Sequence, residues 1–528
     1  MDTEGINEIG HLIAGDVGNK LEFKIFSNSN ISVGDFVLLK DKHLEEKNDF
    51  VGRITNIKLQ TLGRSDYLTE MSTQIEVSPI EVDPYEFRES RSEILARVAE
   101  ASLIGILKDG KIFPPKKIPN HLSPVLIPKV GEMEWIATSG DVEVGNLRAE
   151  MRGDGTIPIK LNSEIMVKKH LFVAAMTGSG KTVTVKTIIA GLYKTDKFGV
   201  LIFDVHGEYA YSKNQRGKMS TRGLRDLNHD DVIVYGLDDK ADKKLLINYR
   251  DLGLSDLYNF YDWSNPQREA LEIIFGDDNH KESGIHPLDY IIQSTAKTIH
   301  DDYHIHEGPA NVIIRRVKQI LHGGFDFVTE NDCYNLYDAI LEDLRKKKIV
   351  IIDFTQLSEK SENIIINNLS RRVLNNNKWK TQRNQNPTNI FIVLEEAQRF
   401  LDPAEYQNKG VMRELVREGR KFGVGLGAVT QIPRFFDERI LSQFNTYIIL
   451  KLSNSSDRNI LEGGSPQNIS DMFTEIATLY PGEAVIVGEA IPLALPVKIH
   501  LFDKLDLSKF RRSGVDDIII SQDMGASK

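Results

Sequence analysis

The stretch Ala175-Met176-Thr177-Gly178-Ser179-Gly180-Lys181-Thr182 decides the fold, because it follows a short apolar run and precedes a helical pattern. The apolar run Leu171-Phe172-Val173-Ala174 indicates a buried strand, and residues 183–192 indicate the helix behind the loop. This order of strand, glycine-rich loop and helix is the setting of a nucleotide-phosphate loop. Ala175 stands where such loops usually begin with glycine, a change that a negative φ would accommodate.

The loop carries the groups that bind the phosphates of ATP. Its backbone N–H groups can cradle the β- and γ-phosphates, helped by the positive end of the following helix. We expect the Lys181 amine to reach the same phosphates and the Thr182 hydroxyl to bind Mg²⁺. The predicted nucleotide-binding residues are Thr177, Gly178, Ser179, Gly180, Lys181, Thr182 and Val183. The sequence therefore predicts a chain that binds and hydrolyses ATP, with ATP and Mg²⁺ as its ligands.

A second apolar run, Ile390-Phe391-Ile392-Val393-Leu394, ends in the two carboxylates Glu395 and Glu396. An acidic strand end is common, but together with a phosphate loop it predicts the second half of an ATPase site. We assign Glu395 to the Mg²⁺ ion and Glu396 to the general base that activates water, and the reverse assignment stays open.

Two further polar strand ends are candidates for the same site. Asp204 follows the apolar residues 199–203, and it is predicted to support the metal or the attacking water. The neighbouring His206 and Glu208 fit ordinary loop polar groups equally well. Gln431 ends the run 424–430, where an amide can sense the γ-phosphate or orient water, although a satisfied polar strand end has the same appearance.

A basic stripe precedes that strand. Arg413, Arg417 and Arg420 are spaced four and three residues apart, which places them on one face of a helix. Such a stripe is usually a solvated face. An oligomeric ATPase, however, needs cations directed at its neighbour's phosphates, and a pore needs cations for DNA. Arg417 and Arg420 are therefore predicted to contact phosphate, across a subunit boundary in an assembly.

The composition excludes several classes of protein. The 528 residues suggest roughly three or four domains, and a hydrophobic content of 41% is enough to form cores. No run reaches the roughly 18 apolar residues of a membrane span, the start does not resemble a signal peptide, and no membrane partner is expected. The single cysteine, Cys333, fits a reducing compartment, so we expect a cytoplasmic location. The net charge of −10 argues against a basic coat but not against a local basic channel.

The predicted fold class is α/β, with a P-loop core, a mostly parallel sheet, a small N-terminal β-barrel and an inserted helical domain. Period-two alternation predicts the barrel strands at residues 21–26, 35–39, 51–59 and 73–77, and runs at 93–106 and 125–127 could close it. A linker is predicted over residues 128–150. Apolar strands that alternate with helical patterns predict the parallel sheet, with strands at residues 171–174, 199–204, 349–354, 390–394, 424–429 and 446–452.

The predicted domain bounds follow from these patterns. They are a β-barrel for assembly and partner docking at 1–130, an ATPase core at 149–211 and 347–504, a helical insertion at 212–346, and a C-terminal tail at 505–528.

The motifs together closely resemble the HerA family, a branch of the FtsK/HerA superfamily of hexameric P-loop DNA translocases and helicases. The resemblance extends from residue 169 to residue 503, and the motifs that carry it are residues 175–182, 204–209, 394–398, 417–425, 430–431, 441–446 and 482–488. It implies a RecA-like core, a homo-hexamer with ATP sites between subunits, and double-stranded DNA through the centre. It also implies a partner, either a NurA-type nuclease docked on the barrel or another effector protein in antiviral defence.

Two positions depart from the family pattern. Family members often carry arginine before the pair His170-Leu171, where it serves as a finger into the neighbour's site, and this chain has Lys169. Lysine keeps the charge but loses the bidentate fork. Gln398 stands where histidine is frequent after the two carboxylates.

Three functions remain as alternatives. The first is an ATP-driven double-stranded DNA translocase that works with a nuclease in DNA-end processing, DNA repair or antiphage defence. The second is an ATP-binding ring scaffold that assembles and activates an effector, either a nuclease or an NAD hydrolase. The third, a metabolic or signalling P-loop ATPase, is disfavoured by the ordered set of motifs.

Overall fold

The computed structural model describes most of the chain and divides it into two compact units. One unit, here the barrel unit, comprises residues 1–161 and 448–500, and the other, the core unit, comprises residues 162–447 and 501–528. The described residues are 8–16, 20–26, 29–40, 49–61, 95–108, 111–136, 140–151, 153–212, 221–277, 284–321, 324–330, 335–401 and 410–510. In this part of the chain no helix is both long enough and apolar enough to cross a membrane.

The core unit contains a parallel sheet whose strands are almost wholly buried. Such strands appear in sequence as continuous apolar runs, because helices cover both faces of a parallel sheet. In spatial order the strands are Lys243–Lys244, Val232–Gly236, Ile349–Asp353, Gly199–Asp204, Ile390–Leu394, Val424–Thr430 and Leu171–Ala174. Every pairing between these neighbours is parallel, which confirms the predicted α/β class with a mostly parallel sheet.

The α-helices of the core unit connect these strands or follow them. They are Ser163–Lys168, Lys181–Thr195, Leu254–Phe260, Asn265–Gly276, Pro287–Gln293, Ala296–Tyr303, Glu307–Leu321, Leu336–Arg345, Glu359–Gln382, Val411–Glu418 and Glu438–Leu441. A small two-stranded pair, Ile247–Asn248 with Val328–Thr329, brackets the helices of the insertion. The strand Thr446–Ile449 lies where the chain passes from the core unit to the barrel unit.

The predicted helical insertion at 212–346 begins too early. Its first part contains the strand Val232–Gly236, which pairs in parallel with Ile349–Asp353 and is therefore a member of the core sheet. The first α-helix of this region starts at Leu254. The strand was missed because five apolar residues between polar segments do not reveal a period by themselves.

The barrel unit begins with the predicted small antiparallel barrel. Six strands form the ring, which closes where Lys20–Ile25 pairs with Leu95–Lys108, and Lys111–Phe113 adds to the latter strand. The other four strands of the ring are Glu8–Gly15, Phe36–Lys40, Asp49–Thr61 and Pro124–Leu126. Alternate side chains such as Leu21, Phe23 and Ile25 fill the interior, as a closed barrel requires. The strand predicted at 73–77 lies outside the described residues.

The predicted linker at 128–150 is wrong. Residues 142–147 form a strand, Val142–Leu147, in an antiparallel arrangement with Pro158–Leu161 and Leu495–Ile499. Leu495–Ile499 also pairs with Glu483–Gly488, and the helices Ser455–Gly464 and Phe473–Thr478 lie in the same C-terminal segment. The strand has no regular alternation to detect: its buried residues Val142, Val144 and Leu147 are unevenly spaced, and its register shifts between Glu143 and Gly145.

The segment 448–500 belongs to the barrel unit, although it was predicted to belong to the core. A buried ion cluster explains this. The Glu475 carboxylate, on the helix Phe473–Thr478, accepts from the guanidinium of Arg53 in the barrel and from that of Arg148. Asp35 accepts from the backbone N–H groups of Ser32 and Glu150, at 2.7 and 3.0 Å. These contacts hold together the barrel, the residues that follow the strand Val142–Leu147, and the segment 448–500.

Candidate nucleotide-binding site

The glycine-rich loop has the backbone conformation that a phosphate cradle needs. Gly178 and Gly180 have φ values of 80° and 102°, a region that side chains with a Cβ rarely adopt. Gly180 is the N-cap of the helix Lys181–Thr195, so the first N–H groups of that helix face the loop. Within the loop, the Ser179 hydroxyl donates to the carbonyl of Met176 at 2.6 Å.

Ala175 is accommodated without strain. It is buried, its φ is not in the positive region, and its N–H donates to the carbonyl of Thr430 at 3.1 Å. A methyl group at the start of the loop is therefore compatible with this backbone.

The predicted site residues come together at one edge of the sheet. The carboxyl ends of four adjacent parallel strands meet there: Gly199–Asp204, Ile390–Leu394, Val424–Thr430 and Leu171–Ala174. Asp204, Glu395, Glu396 and Gln431 lie at or just beyond these ends, next to the phosphate loop. This is the edge at which open α/β sheets bind ligands.

Lys181 and Thr182 each contact a carboxylate. The Lys181 amine donates to Oε1 of Glu396 at 3.1 Å and lies 3.9 Å from Oε1 of Glu395. The Thr182 hydroxyl donates to Oε2 of Glu208 at 2.6 Å. The sequence could not distinguish Glu208 from an ordinary loop acid, so its contact with Thr182 was not predicted. The two groups expected to bind phosphate and Mg²⁺ are thus held by acids that a charged ligand can displace.

Glu395 is fully buried and incompletely paired. Its Oε1 accepts from the Tyr209 hydroxyl at 3.1 Å, while its Oε2 has no hydrogen-bond partner among the described residues. Burial raises the pKa of Glu395 to about 8, helped by the charge of Asp204 and opposed by Lys181. Burial also raises the pKa of Tyr209, as do the charges of Glu395 and Asp204.

Glu396 has the opposite environment, although it is the next residue. Its backbone is left-handed, with φ 47°, which turns the side chain toward the loop. Oε1 accepts from Lys181 and, at 2.8 Å, from the Gln431 amide, while Oε2 accepts from the Gln398 amide at 2.6 Å. Partial burial opposes ionisation, but these hydrogen bonds and the Lys181 charge hold the pKa of Glu396 below its ordinary value.

Asp204 shapes the loop that follows its strand. Its two carboxylate oxygens accept from the backbone N–H groups of Glu208 and Tyr209, at 3.0 and 2.9 Å. Burial raises the pKa of Asp204 despite these two hydrogen bonds. Asp204 therefore places Glu208 beside Thr182 and Tyr209 beside Glu395.

The basic residues predicted to contact phosphate are not part of this cluster. Arg417 and Arg420 are exposed, on the helix Val411–Glu418 and the 3-10 turn after it, and Arg413 is half-buried on the same helix. Lys169 caps the short helix Ser163–Lys168, and its carbonyl accepts from the N–H of Asn445 at 3.0 Å. Their action on a neighbouring subunit stays a prediction.

His170 fixes the position of the arginine-bearing helix. Its Nδ1 accepts from the Leu426 N–H of the sheet and its Nε2 donates to the Val416 carbonyl, both at 3.0 Å. Burial, with the charge of Arg420, lowers the pKa of His170 to about 4 despite the bond to Val416. The ring is therefore neutral, as these two hydrogen bonds require.

The cluster fits a magnesium nucleotide. The partnerless Oε2 of Glu395 and the displaceable Thr182 hydroxyl are oxygen donors of the kind that Mg²⁺ prefers. In the described residues no set of three His, Cys, Asp or Glu side chains could hold a metal alone. The nucleotide phosphates would therefore have to supply further ligands, as in other P-loop sites.

Comparison with known proteins shows a similarity to HerA helicases. Residues 142–373 match the family model described as the central domain of the helicase HerA. The DNA double-strand break repair helicase HerA of Pyrococcus furiosus is 25% identical over 92% of this chain and 90% of that protein. The protein of the same description from Saccharolobus solfataricus is 29% identical over 69% of each chain.

Among solved structures, VirB4 of Thermoanaerobacter pseudethanolicus is similar, with a TM-score of 0.47 and 14% identity over 69% of this chain and 97% of that one. The family match covers the phosphate loop and the strands on both sides of it, and the sequence relatives extend over most of the chain. The chain is thus similar to HerA helicases over most of its length and contains a match to their central domain.

Proposed function

We propose that this chain is an ATP-driven double-stranded DNA translocase that assembles as a ring of six. The observation that carries the proposal is the cluster at the sheet edge. There Lys181 and Gln431, which would face the γ-phosphate, share one oxygen of a single carboxylate, Glu396. An amine, an amide and an ionised carboxylate beside a phosphate loop are the groups that nucleotide hydrolysis requires.

Nucleotide binding would rearrange the contacts of the loop. Lys181 would leave Glu396 for the β- and γ-phosphate oxygens, and the N–H groups of residues 177–183 would surround them. Bound Mg²⁺, held by Thr182 and Glu395, would neutralise charge on the phosphates. Thr182 would then exchange Glu208 for the ion.

Glu396 is the better candidate for the general base. Its lowered pKa keeps it ionised, and once the Lys181 amine has moved to the phosphates, Oε1 is open toward the nucleotide. As the water oxygen attacks the γ-phosphorus and the bond to ADP breaks, Oε1 takes the proton of the water. Gln431 would orient that water through its amide. Buried Glu395 fits the metal role, in agreement with the first of the two assignments.

The ring and its DNA substrate rest on the family. The relative from Pyrococcus furiosus bears a name that assigns it to DNA double-strand break repair. Exposed Arg417 and Arg420, with Lys169, would face the ATP site of the next subunit or the DNA phosphates. The barrel would dock the partner, a NurA-type nuclease or another defence effector.

Steady-state ATP hydrolysis of the full chain, with and without linear duplex DNA, tests the proposal. We expect duplex DNA to raise the turnover severalfold, and the Lys181→Ala control to be inactive under both conditions. Turnover that does not respond to duplex DNA would contradict the translocase. It would instead favour an ATP-binding ring that assembles and activates an effector enzyme.

A further inference from the structure

Gln398 and Thr430 form a hydrogen-bond chain that ends on Glu396. The Ile432 N–H donates to the Thr430 hydroxyl oxygen at 3.0 Å. The Thr430 hydroxyl donates to Oε1 of Gln398 at 2.7 Å, and Nε2 of Gln398 donates to Oε2 of Glu396 at 2.6 Å. Thr430 is fully buried, at the end of its strand, and Gln398 is half-buried in the turn after Glu396.

The direction of this chain is determined by its last member. An ionised carboxylate can only accept, so Gln398 presents its NH2 group to Glu396 and its carbonyl oxygen to Thr430. The Thr430 hydroxyl then donates to that carbonyl, and its oxygen accepts from the Ile432 N–H. The end of the strand Val424–Thr430 therefore helps to orient the Gln398 side chain.

The two oxygens of Glu396 differ in the kind of partner they have. Oε1 is shared by Lys181 and Gln431, and Gln431 in turn accepts from the Thr177 hydroxyl at 2.5 Å. Both partners of Oε1 are therefore connected to the phosphate loop and would change when a nucleotide enters. The Oε2 partner, Gln398, is held by Thr430, and among the described residues it has no hydrogen bond to the loop.

We infer that Gln398, oriented by Thr430, is a positioning residue that holds Oε2 of Glu396 in place while Oε1 exchanges its partners for the attacking water. The inference rests on the proposed function, since it concerns the base of ATP hydrolysis. A fixed Oε2 also keeps the charge of Glu396 in place after Lys181 has moved to the phosphates.

The split between kcat and KM tests this role, because a residue that positions the base acts on the chemical step and not on nucleotide binding. For Gln398→Met, which keeps the volume but removes the amide, we expect kcat to fall by about tenfold. KM for ATP should stay within about twofold, because the described contacts of Gln398 are to Glu396 and Thr430 and not to the phosphate loop.

Thr430 supplies the matched variants. Thr430→Val should lower kcat by a smaller factor, and Thr430→Ser, which keeps the hydroxyl, should retain the wild-type kcat and KM. Because both residues act through one amide, the double variant Gln398→Met/Thr430→Val should be no worse than Gln398→Met alone. Thermal unfolding of each variant verifies that it is folded.

Two results would overturn the inference separately from the proposed function. A wild-type enzyme that hydrolyses ATP, beside a folded Gln398→Met variant with an unchanged kcat, would refute the positioning role alone. A change in KM with an unchanged kcat would do the same. A wild-type chain without any ATP turnover would refute the proposed function and the inference together.

Discussion

Two buried carboxylates, Glu475 in the barrel unit and Glu395 in the core unit, have opposite surroundings. Glu475 is 3% exposed, and both of its oxygens receive a guanidinium, Oε1 from Arg148 and Oε2 from Arg53. Glu395 is 0% exposed, its Oε1 accepts from a tyrosine hydroxyl, and its Oε2 has no hydrogen-bond partner in the described part of the chain.

This difference separates a structural acid from an acid that belongs to a binding site. A buried carboxylate with both oxygens paired is balanced within the protein, and it needs no ligand. An unpaired buried oxygen is costly, because no water replaces the lost hydrogen bonds. In the core unit this energetic cost lies at the edge of the sheet, where a bound cation would offset it. The raised pKa of Glu395 results from the same burial.

The largest contrast is expected when the ion pair of each acid is broken, by removing Lys181 in the core unit and the Glu475 charge in the barrel unit. Lys181→Ala should lower ATP turnover by about a thousandfold, because the phosphates lose a positioned charge. The same variant should unfold within about 1 kcal/mol of the wild type, because Glu396 keeps its hydrogen bonds to Gln431 and Gln398. Nucleotide binding by calorimetry and urea unfolding measure the two effects. A Lys181→Ala variant that binds ATP with wild-type affinity would contradict this contrast between the two acids.

Glu475→Gln should lower the stability of the protein and leave its ATP turnover unchanged. It leaves the buried Arg53 guanidinium without a charged partner, which costs about 3–5 kcal/mol in the free energy of unfolding. ATP turnover per folded molecule should stay near the wild-type value. The matched control is Glu164→Gln, which breaks an exposed pair with Lys168 and should cost less than about 0.5 kcal/mol. Equal stability of the two variants would remove the structural role of Glu475.

The smallest effect is a dependence on pH that is specific to Glu395. Its pKa is about 8 in the folded chain and 4.5 in the ordinary carboxyl, so between these values the folded state holds a proton that the unfolded state has released. The stability of the nucleotide-free protein should therefore fall as the pH rises from 5 to 8, by up to about 1.4 kcal/mol per pH unit.

Glu395→Gln should remove this part of the slope, and urea unfolding at pH 6 and pH 8 measures it. Glu396→Gln is the control, because a lowered pKa leaves Glu396 ionised in both states over this range. An identical slope in wild type and Glu395→Gln would show that Glu395 is ionised when buried.

The parts of the fold that follow from local pattern could be predicted from the sequence. The phosphate loop lies between a fully apolar strand and a helix, and the five apolar residues before Glu395 can only be a buried strand in that context. Short strands beside polar residues could not be predicted, as Val232–Gly236 and Val142–Leu147 show. Their membership of a sheet depends on partners that are distant in the chain.

Contacts between distant residues were likewise beyond the sequence. Glu475 meets Arg53 and Arg148 at separations of 422 and 327 residues, so nothing near it marks it as an ion-pair centre. The pairs Thr182–Glu208 and Gln398–Thr430 are 26 and 32 residues apart. The sequence indicated which strand ends carry polar groups, but not which of these groups hydrogen-bond to one another.

The most direct test of the central claim is ATP binding and steady-state ATP hydrolysis by Glu396→Gln beside the wild type. If Glu396 is the base at this site, the variant binds ATP with wild-type affinity, retains it, and loses hydrolysis by at least about a hundredfold. Normal turnover in a folded Glu396→Gln variant would contradict the account.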